Sequence, residues 1–243
     1  MMTRIFTILL VALLFVSCKT YVTPGSSVNI SQLADQDIKE ILTNEGAAEF
    51  PVNIAIARIQ APGYTNYRQQ FRGYGNTGTG FSMILTRDVE EDEAFERLSS
   101  MDGIEAASPF NRLLLPYEYN SIKDLRLAAA KMKAEVLLVY TFDTDFVIET
   151  KNYGPQNAFT LGYLKNKNVK VVTTASAAIF DVQTEYLYGL AEATSRADKK
   201  SNAWKKFDQV DALRIQTEKE AFGKLVSEIE SVWSGVLLEY ASK

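Results

Sequence analysis

Cys18 is the only cysteine of this 243-residue chain. Whatever folds after it must therefore be held by a packed apolar core, with no disulfide framework and no thiolate-bound metal. Histidine is absent as well. That removes the commonest general base near neutral pH and the commonest zinc ligand, and with them Ser-His-Asp, Cys-His and histidine-metal hydrolysis. Ser-Lys dyads, paired carboxylates and carboxylate-bound calcium stay open. A hydrophobic content of 47% is enough for a core of ordinary size. A net charge of −4 gives no electrostatic footprint for nucleic acid.

The chain starts with Arg4, then an apolar run from Ile5 to Val16 broken only by Thr7, then Ser17 and Cys18. The run falls short of the roughly 20 apolar residues of a spanning helix and reads as the centre of an export signal. The order Phe15-Val16-Ser17-Cys18 resembles the lipobox of bacterial lipoproteins, with Phe15 where Leu is more usual. The resemblance implies cleavage between Ser17 and Cys18 by signal peptidase II and acylation of Cys18. Residues 1–17 are then a signal peptide, and 18–31 a lipidated start and flexible tether containing Pro24, Gly25, Ser26 and Ser27. Residues 32–243 make one α/β domain. Lys19 follows the cysteine where Asp would resemble an inner-membrane retention signal, and no acidic run follows that resembles a surface-export signal. The expectation is the outer membrane, on its periplasmic face.

Ser31 reads as the N-cap of a short helix with Leu33, Ile38, Ile41 and Leu42 as its apolar contacts, ended by Gly46. Val52, Ile54 and Ile56 alternate, which predicts a strand over Pro51–Ile59. Ala61 to Gly80 mixes glycine with aromatics and predicts a loop. Phe81–Leu85 is a short strand or the opening of a helix. Asp88–Met101 is the next expected helix, with Ala94, Phe95 and Leu98 inward and an acidic start at the positive end of its dipole. Gly103 stops it. Ile104–Leu115 gives one or two extended pieces around Pro109. Ser121 opens a helix over Ile122–Lys133, which runs into a buried strand, Glu135–Phe146. A polar loop, Asn152–Asn168, leads to Val169–Val182 and Tyr186–Arg196, an antiparallel hairpin separated by three residues. Asp198–Asp208 reads as a polar connection around Trp204. A last helix runs from about Asp211 to Tyr240. Its stripe is Phe222, Leu225, Val226, Ile229, Trp233, Val236, Leu237 and Tyr240. This order predicts an α/β (α+β) fold, in which a mixed sheet with a long hairpin carries helices and a long C-terminal helix.

Three segments carry a family resemblance. They are the helix-to-strand run Leu127–Tyr140, the hairpin Ala177–Tyr188 continuing into Ala191-Glu192-Ala193, and the C-terminal helix. Together, over roughly the second half of the chain, they resemble the α/β domain shared by the N-terminal domain of TolB and the curli secretion lipoprotein CsgG. Glu135 stands where that family has Asp, Lys133 where glycine is common, and Glu185 in place of a turn glycine. A left-handed backbone at Glu185 would cost roughly 1 kcal/mol. Members act mostly as scaffolds and assembly factors, so the resemblance implies interaction rather than catalysis; no cofactor is expected.

Gly73-Tyr-Gly75-Asn-Thr-Gly78 matches a dinucleotide fingerprint only in spelling, since the flanking residues supply neither the strand nor the helix it needs. The surrounding loop is the better binding candidate. Tyr64, Tyr67, Arg68, Phe71, Arg72 and Tyr74 are the residue types that anchor interfaces. The run Asp88–Glu93 lacks the oxygen spacing and glycine of a calcium loop and reads as a solvated helix start. Arg196, Lys199, Lys200, Lys205 and Lys206 read as a soluble connector. The expectation is a non-catalytic binding or assembly component of a cell-envelope complex. It would be held at the membrane by its N-terminal lipid and partnered by envelope proteins, not nucleic acid, with a homo-oligomer left open. A secretion-pore subunit and an envelope hydrolase are the alternatives.

Overall fold

Residues 38–61, 81–85, 87–114, 120–150, 167–201 and 206–240 are described by the computed structural model. The alternation in the first strand becomes β1, Val52–Gln60, the hub of a six-stranded mixed sheet. On one edge β1 pairs antiparallel with β2, Ser82–Ile84, and parallel with β3, Ile104–Pro109. On the other it pairs parallel with β4, Val136–Thr150. β4, β5 (Lys167–Asp181) and β6 (Leu187–Ser201) then follow as an antiparallel meander. The helices are α1 (Ile38–Thr43), α2 (Asp92–Ser99), α3 (Ile122–Lys131) and α4 (Lys206–Tyr240). The expected α/β architecture is present, with its long hairpin and long C-terminal helix.

The period of two sorts the apolar run of β4 onto both faces of the sheet. Val136, Leu138, Tyr140 and Phe142 lie under α2 and α4, whereas Leu137 and Val139 lie under α3. The α4 stripe enters the first of these cores from Phe222 through Leu225, Val226, Ile229, Trp233 and Val236, with Leu237 and Tyr240 at its margin. Ala94, Phe95 and Leu98 of α2 face inward as their spacing predicts. Ser121 and Asp124 form a reciprocal capping box on α3.

The molecule has two distinct ends. At one end β1, β3 and β4 begin, β5 turns into β6, and α4 finishes. Toward the other, β1 stops two residues after Arg58, which pairs with Tyr140, while β4 continues to Thr150. β4, β5 and β6 thus project as an arm about 30 Å past β1. One face of the arm carries a small core of its own, Val169, Val171, Val210 and Leu213. The opposite face exposes Asp143, Asp145, Val147 and Glu149 on β4, Lys170 on β5, and Glu192 and Arg196 on β6. β6 is the outer edge of the sheet. Lys224 of α4 reaches over to donate to the Thr194 carbonyl at 3.2 Å, which blunts that edge.

Several boundaries differ from the sequence reading. The arm strands are longer than their apolar parts, because only one face is covered. Asp198–Ser201 therefore belongs to β6 and Lys206 already to α4, leaving 202–205 between them. The hairpin turn takes five residues, 182–186, rather than three. α3 stops at Lys131, and Lys133 adopts a left-handed φ of 62°. β3 ends at Pro109, and Arg112–Leu114 is a 3-10 turn instead of a second extended piece. α1 ends at Thr43, before Gly46. Gly46 has another task, since a Cβ there would stand 2.5 Å from the Tyr188 ring.

Candidate functional site

A buried ionic layer separates the two cores under α4. Arg58 sits in a mostly apolar strand, 3% exposed. Its Nη1 donates to Asp88 Oδ1 at 3.1 Å and to Glu90 Oε1 at 3.0 Å, and its guanidinium lies 4.7 Å from the Phe142 ring centre. Tyr140, its neighbour on β4, donates its hydroxyl to the same Glu90 oxygen at 2.9 Å. From α4, Arg214 donates to Asp211 at 3.1 Å and Glu218 at 2.6 Å, one turn before and one turn after it on the helix, and approaches Asp88 at 3.7 Å. Thr144 donates to Glu218 at 3.2 Å, and Thr173 donates to Thr217 at 2.9 Å.

This layer corrects the reading of Asp88–Glu93 as a solvated helix start. Asp88 and Glu90 precede α2 and turn inward, because the buried guanidiniums need counter-charges. Only Asp92 and Glu93 occupy the first turn of the helix. Burial pushes the Glu218 carboxyl up, an effect opposed by the Arg214 and Arg58 charges. Burial, then the charge of Glu90, pushes the Tyr140 phenol well above its ordinary range. With its carboxylates engaged by guanidinium and hydroxyl donors, the layer can fix the seating of α4 on the sheet. Among the described residues no three acidic side chains converge to hold a cation.

A second polar centre organises the end where the hairpin turns. Asp181, 1% exposed, accepts the Gln183 and Thr184 amides on Oδ1, both at 2.8 Å. Its Oδ2 accepts the Ala47 amide at 2.7 Å and the Tyr188 hydroxyl at 2.8 Å. The same tyrosine oxygen accepts the Ala48 amide at 3.3 Å, and Asn44 donates to the Thr184 carbonyl at 2.7 Å. The segment Asn44–Ala48 is thus strapped onto the turn. Glu185 does adopt the left-handed backbone, with φ 66°. Arg126 offsets that strain: it forms an ion pair with Glu185 and donates to the Val182 and Gln183 carbonyls at 2.9 and 2.7 Å. Glu135 accepts the Asn53 amide at 2.7 Å.

Burial alone would raise the Asp181 carboxyl, but the Thr184, Ala47 and Gln183 amides and the Tyr188 hydroxyl outweigh it and hold the group below its ordinary value. A depressed folded value means that this contribution is fully present above the unfolded carboxylate range, near pH 4. It is lost as pH falls from there through the folded value. Asp181→Asn should lower stability at pH 7 by roughly 1–3 kcal/mol, the cost of a charged acceptor of several amides. It should also flatten the stability profile below about pH 4. Urea melts from pH 3 to 7 check both. An unchanged acid slope would show that the carboxylate does not carry the linkage.

Ser17 and Cys18 lie outside the described residues, as do Tyr64, Tyr67, Arg68, Phe71, Arg72 and Tyr74. The stems of the aromatic loop are described. Gln60 pairs with Ser82, and both Gln60 and Phe81 are 1% exposed. The loop therefore leaves and rejoins the sheet at one point, on the side away from the hairpin turn. Beside its stem lies a cavity of about 130 Å³ lined by Arg58, Tyr140, Phe95, Met83 and Phe110. The sequence reading missed the ionic layer. Its signal was Arg58 inside an apolar strand, together with the helical spacing of Asp211, Arg214 and Glu218.

No protein-family model matches the sequence, and no curated protein matches it. Among solved structures, rare lipoprotein B from Shewanella oneidensis is 8% identical, over 77% of this chain and 99% of that one, with a TM-score of 0.35. A minor lipoprotein from Acinetobacter baumannii is 9% identical, over 74% and 92%, with a TM-score of 0.35. Lipoprotein B from Nitrosomonas europaea is 11% identical, over 79% and 91%, with a TM-score of 0.37. Likeness this distant carries no argument about what this chain does.

Proposed function

We propose that this chain is a bacterial envelope lipoprotein, cleaved after Ser17 and acylated on Cys18, that serves as a non-catalytic binding and assembly component. It would stand on the periplasmic face of the outer membrane and take other envelope proteins as partners. The observation that carries the reading is the Phe15–Cys18 motif behind a charged and apolar start. The fold adds a polarity that suits it. The segment after the tether is strapped to the hairpin-turn end, whereas the arm and the stems of the aromatic loop lie toward the other. The pore alternative needs an apolar outer strand face. Asp143, Asp145 and Glu149 on the uncovered face of β4 do not supply it.

Native protein, labelled with a palmitate analogue and captured with its partners, tests both halves. Cys18→Ser should lose the label completely, and continued labelling would sink the anchor. Tyr67→Ala with Arg72→Ala should keep the label and weaken partner capture roughly tenfold or more, because interface energy concentrates in such residues. Capture at the parental level would remove the loop from the interface.

A further inference from the structure

We propose that the hairpin-turn end of the fold rests on the lipid surface itself, with Ile41, Leu42, Leu187 and Leu238 entering the headgroup region. This deepens the preceding reading and rests on it, since the lipid on Cys18 decides which surface lies nearby. The first support is where apolar side chains are left in water. Eight large ones stand out as exposed among the described residues, and Ile41, Leu42, Leu187 and Leu238 are four of them, at 50%, 80%, 41% and 83%. Each lies within three residues of a group in one contact cluster: Asn44 on Thr184, Tyr188 on Asp181, and Tyr240 on Tyr186. Exposed apolar side chains scattered singly need no explanation, but four gathered at one end mark a contact surface.

The second support is aromatic. Tyr186, Tyr188 and Tyr240 pack with ring centres 5.3–5.9 Å apart at the same end, the residue type that suits an interface between water and hydrocarbon. The third is the chain outside the described residues. Cys18 precedes Ile38 by 20 positions, a reach of at most about 70 Å. α4 alone is about 50 Å long, and the chain enters the fold beside its C-terminal end, so an anchor on Cys18 brings that end nearer the bilayer than the arm. Such tethering raises the local concentration of lipid, so weak apolar contacts are sufficient. Charge decides the lipid class. Glu45, Glu49, Asp102 and Glu239 are exposed at this end and outnumber the exposed Lys131 and Lys133, so the docking is apolar and gains nothing from anionic headgroups.

The test uses the acylated full chain carrying Leu42→Cys, Leu238→Cys or, as the remote control, Asp145→Cys. Cys18 is acylated, so the introduced thiol takes an environment-sensitive fluorophore. The protein is placed in phosphatidylethanolamine–phosphatidylcholine vesicles that contain a lipid-borne quencher. Probes at positions 42 and 238 should be blue-shifted and quenched several-fold more than the probe at 145, with no gain when phosphatidylglycerol is added. Floating protein with equal quenching at all three positions overturns the lipid contact and leaves the anchor standing. Blue-shifted but unquenched probes overturn it in favour of cover by the chain's own residues 19–37. Quenching that appears only with phosphatidylglycerol overturns the apolar basis. Acylated protein that fails to float overturns both this inference and the anchor.

Discussion

Arg58→Ala should lower unfolding free energy by about 3–5 kcal/mol, the cost of leaving a buried charge without its partner. Glu90 and Asp88 both accept from its Nη1, and the side chain of Glu90 is fully buried. With the guanidinium gone, Glu90 keeps the Tyr140 hydroxyl and a long 3.4 Å bond from the Val89 amide, and its buried charge loses its counter-charge. The double change Arg58→Met with Glu90→Gln should recover much of the loss, because an apolar side chain of similar length replaces an ion pair at little net cost. Urea melts of the parent, both singles and the double form a cycle, with an expected coupling of about 1–3 kcal/mol. A loss below about 1 kcal/mol for Arg58→Ala would place the guanidinium in water rather than in the layer.

The layer also shows why the sequence reveals some parts of this fold and hides others. Every element defined by an apolar period was legible. Val52, Ile54 and Ile56 gave β1, and Phe222 to Val236 gave the buried face of α4. The hairpin was legible too, but not its length. Before Ala178 the even positions of β5 lie on the uncovered face, so Lys170, Thr174 and Ser176 alternate with the buried Val169, Val171 and Thr173. A half-covered strand of that kind looks like a polar loop once the charges of Asp198, Lys199 and Lys200 are added. Extended backbone is read from one covered face, and here the cover comes from α4, far along the chain.

Polar sites were legible only where they were local. The capping box at Ser121 and Asp124 and the special turn position at Glu185 both sit within a few residues of their cause. The compensation at Glu185 does not, since Arg126 comes from 59 positions away. Asp88 has the same difficulty. Its acidic neighbours suggest a helix start, while its partners Arg58 and Arg214 lie 30 and 126 positions away along the chain. Charge runs are ambiguous in sequence because a counter-charge brought by folding outweighs the helix dipole, which is worth about 0.3–1 kcal/mol at an exposed site.

Trp233→Ala should cost about 3–5 kcal/mol, the range for truncating a large buried aromatic. Trp233 is 1% exposed, tilts against Phe50 with ring centres 5.6 Å apart, and donates its indole N–H to the Asp102 carbonyl at 2.9 Å. It therefore ties α4 to two neighbours at once, the turn before β3 and the segment that leads into β1. Trp233→Phe keeps most of the apolar contact and loses the hydrogen bond, so it should cost clearly less, about 1–2 kcal/mol. The truncation should also loosen the strap over the hairpin turn, because Phe50 lies two residues after Ala48, whose amide meets Tyr188. Hydrogen exchange at the Ala47 and Ala48 amides should speed up in Trp233→Ala by more than global destabilisation explains, and hardly at all in Trp233→Phe. Equal exchange in the two variants would mean that the strap is held by Asp181 and Tyr188 alone. The aromatic contact would then contribute to global stability without positioning the hairpin-turn end of the molecule.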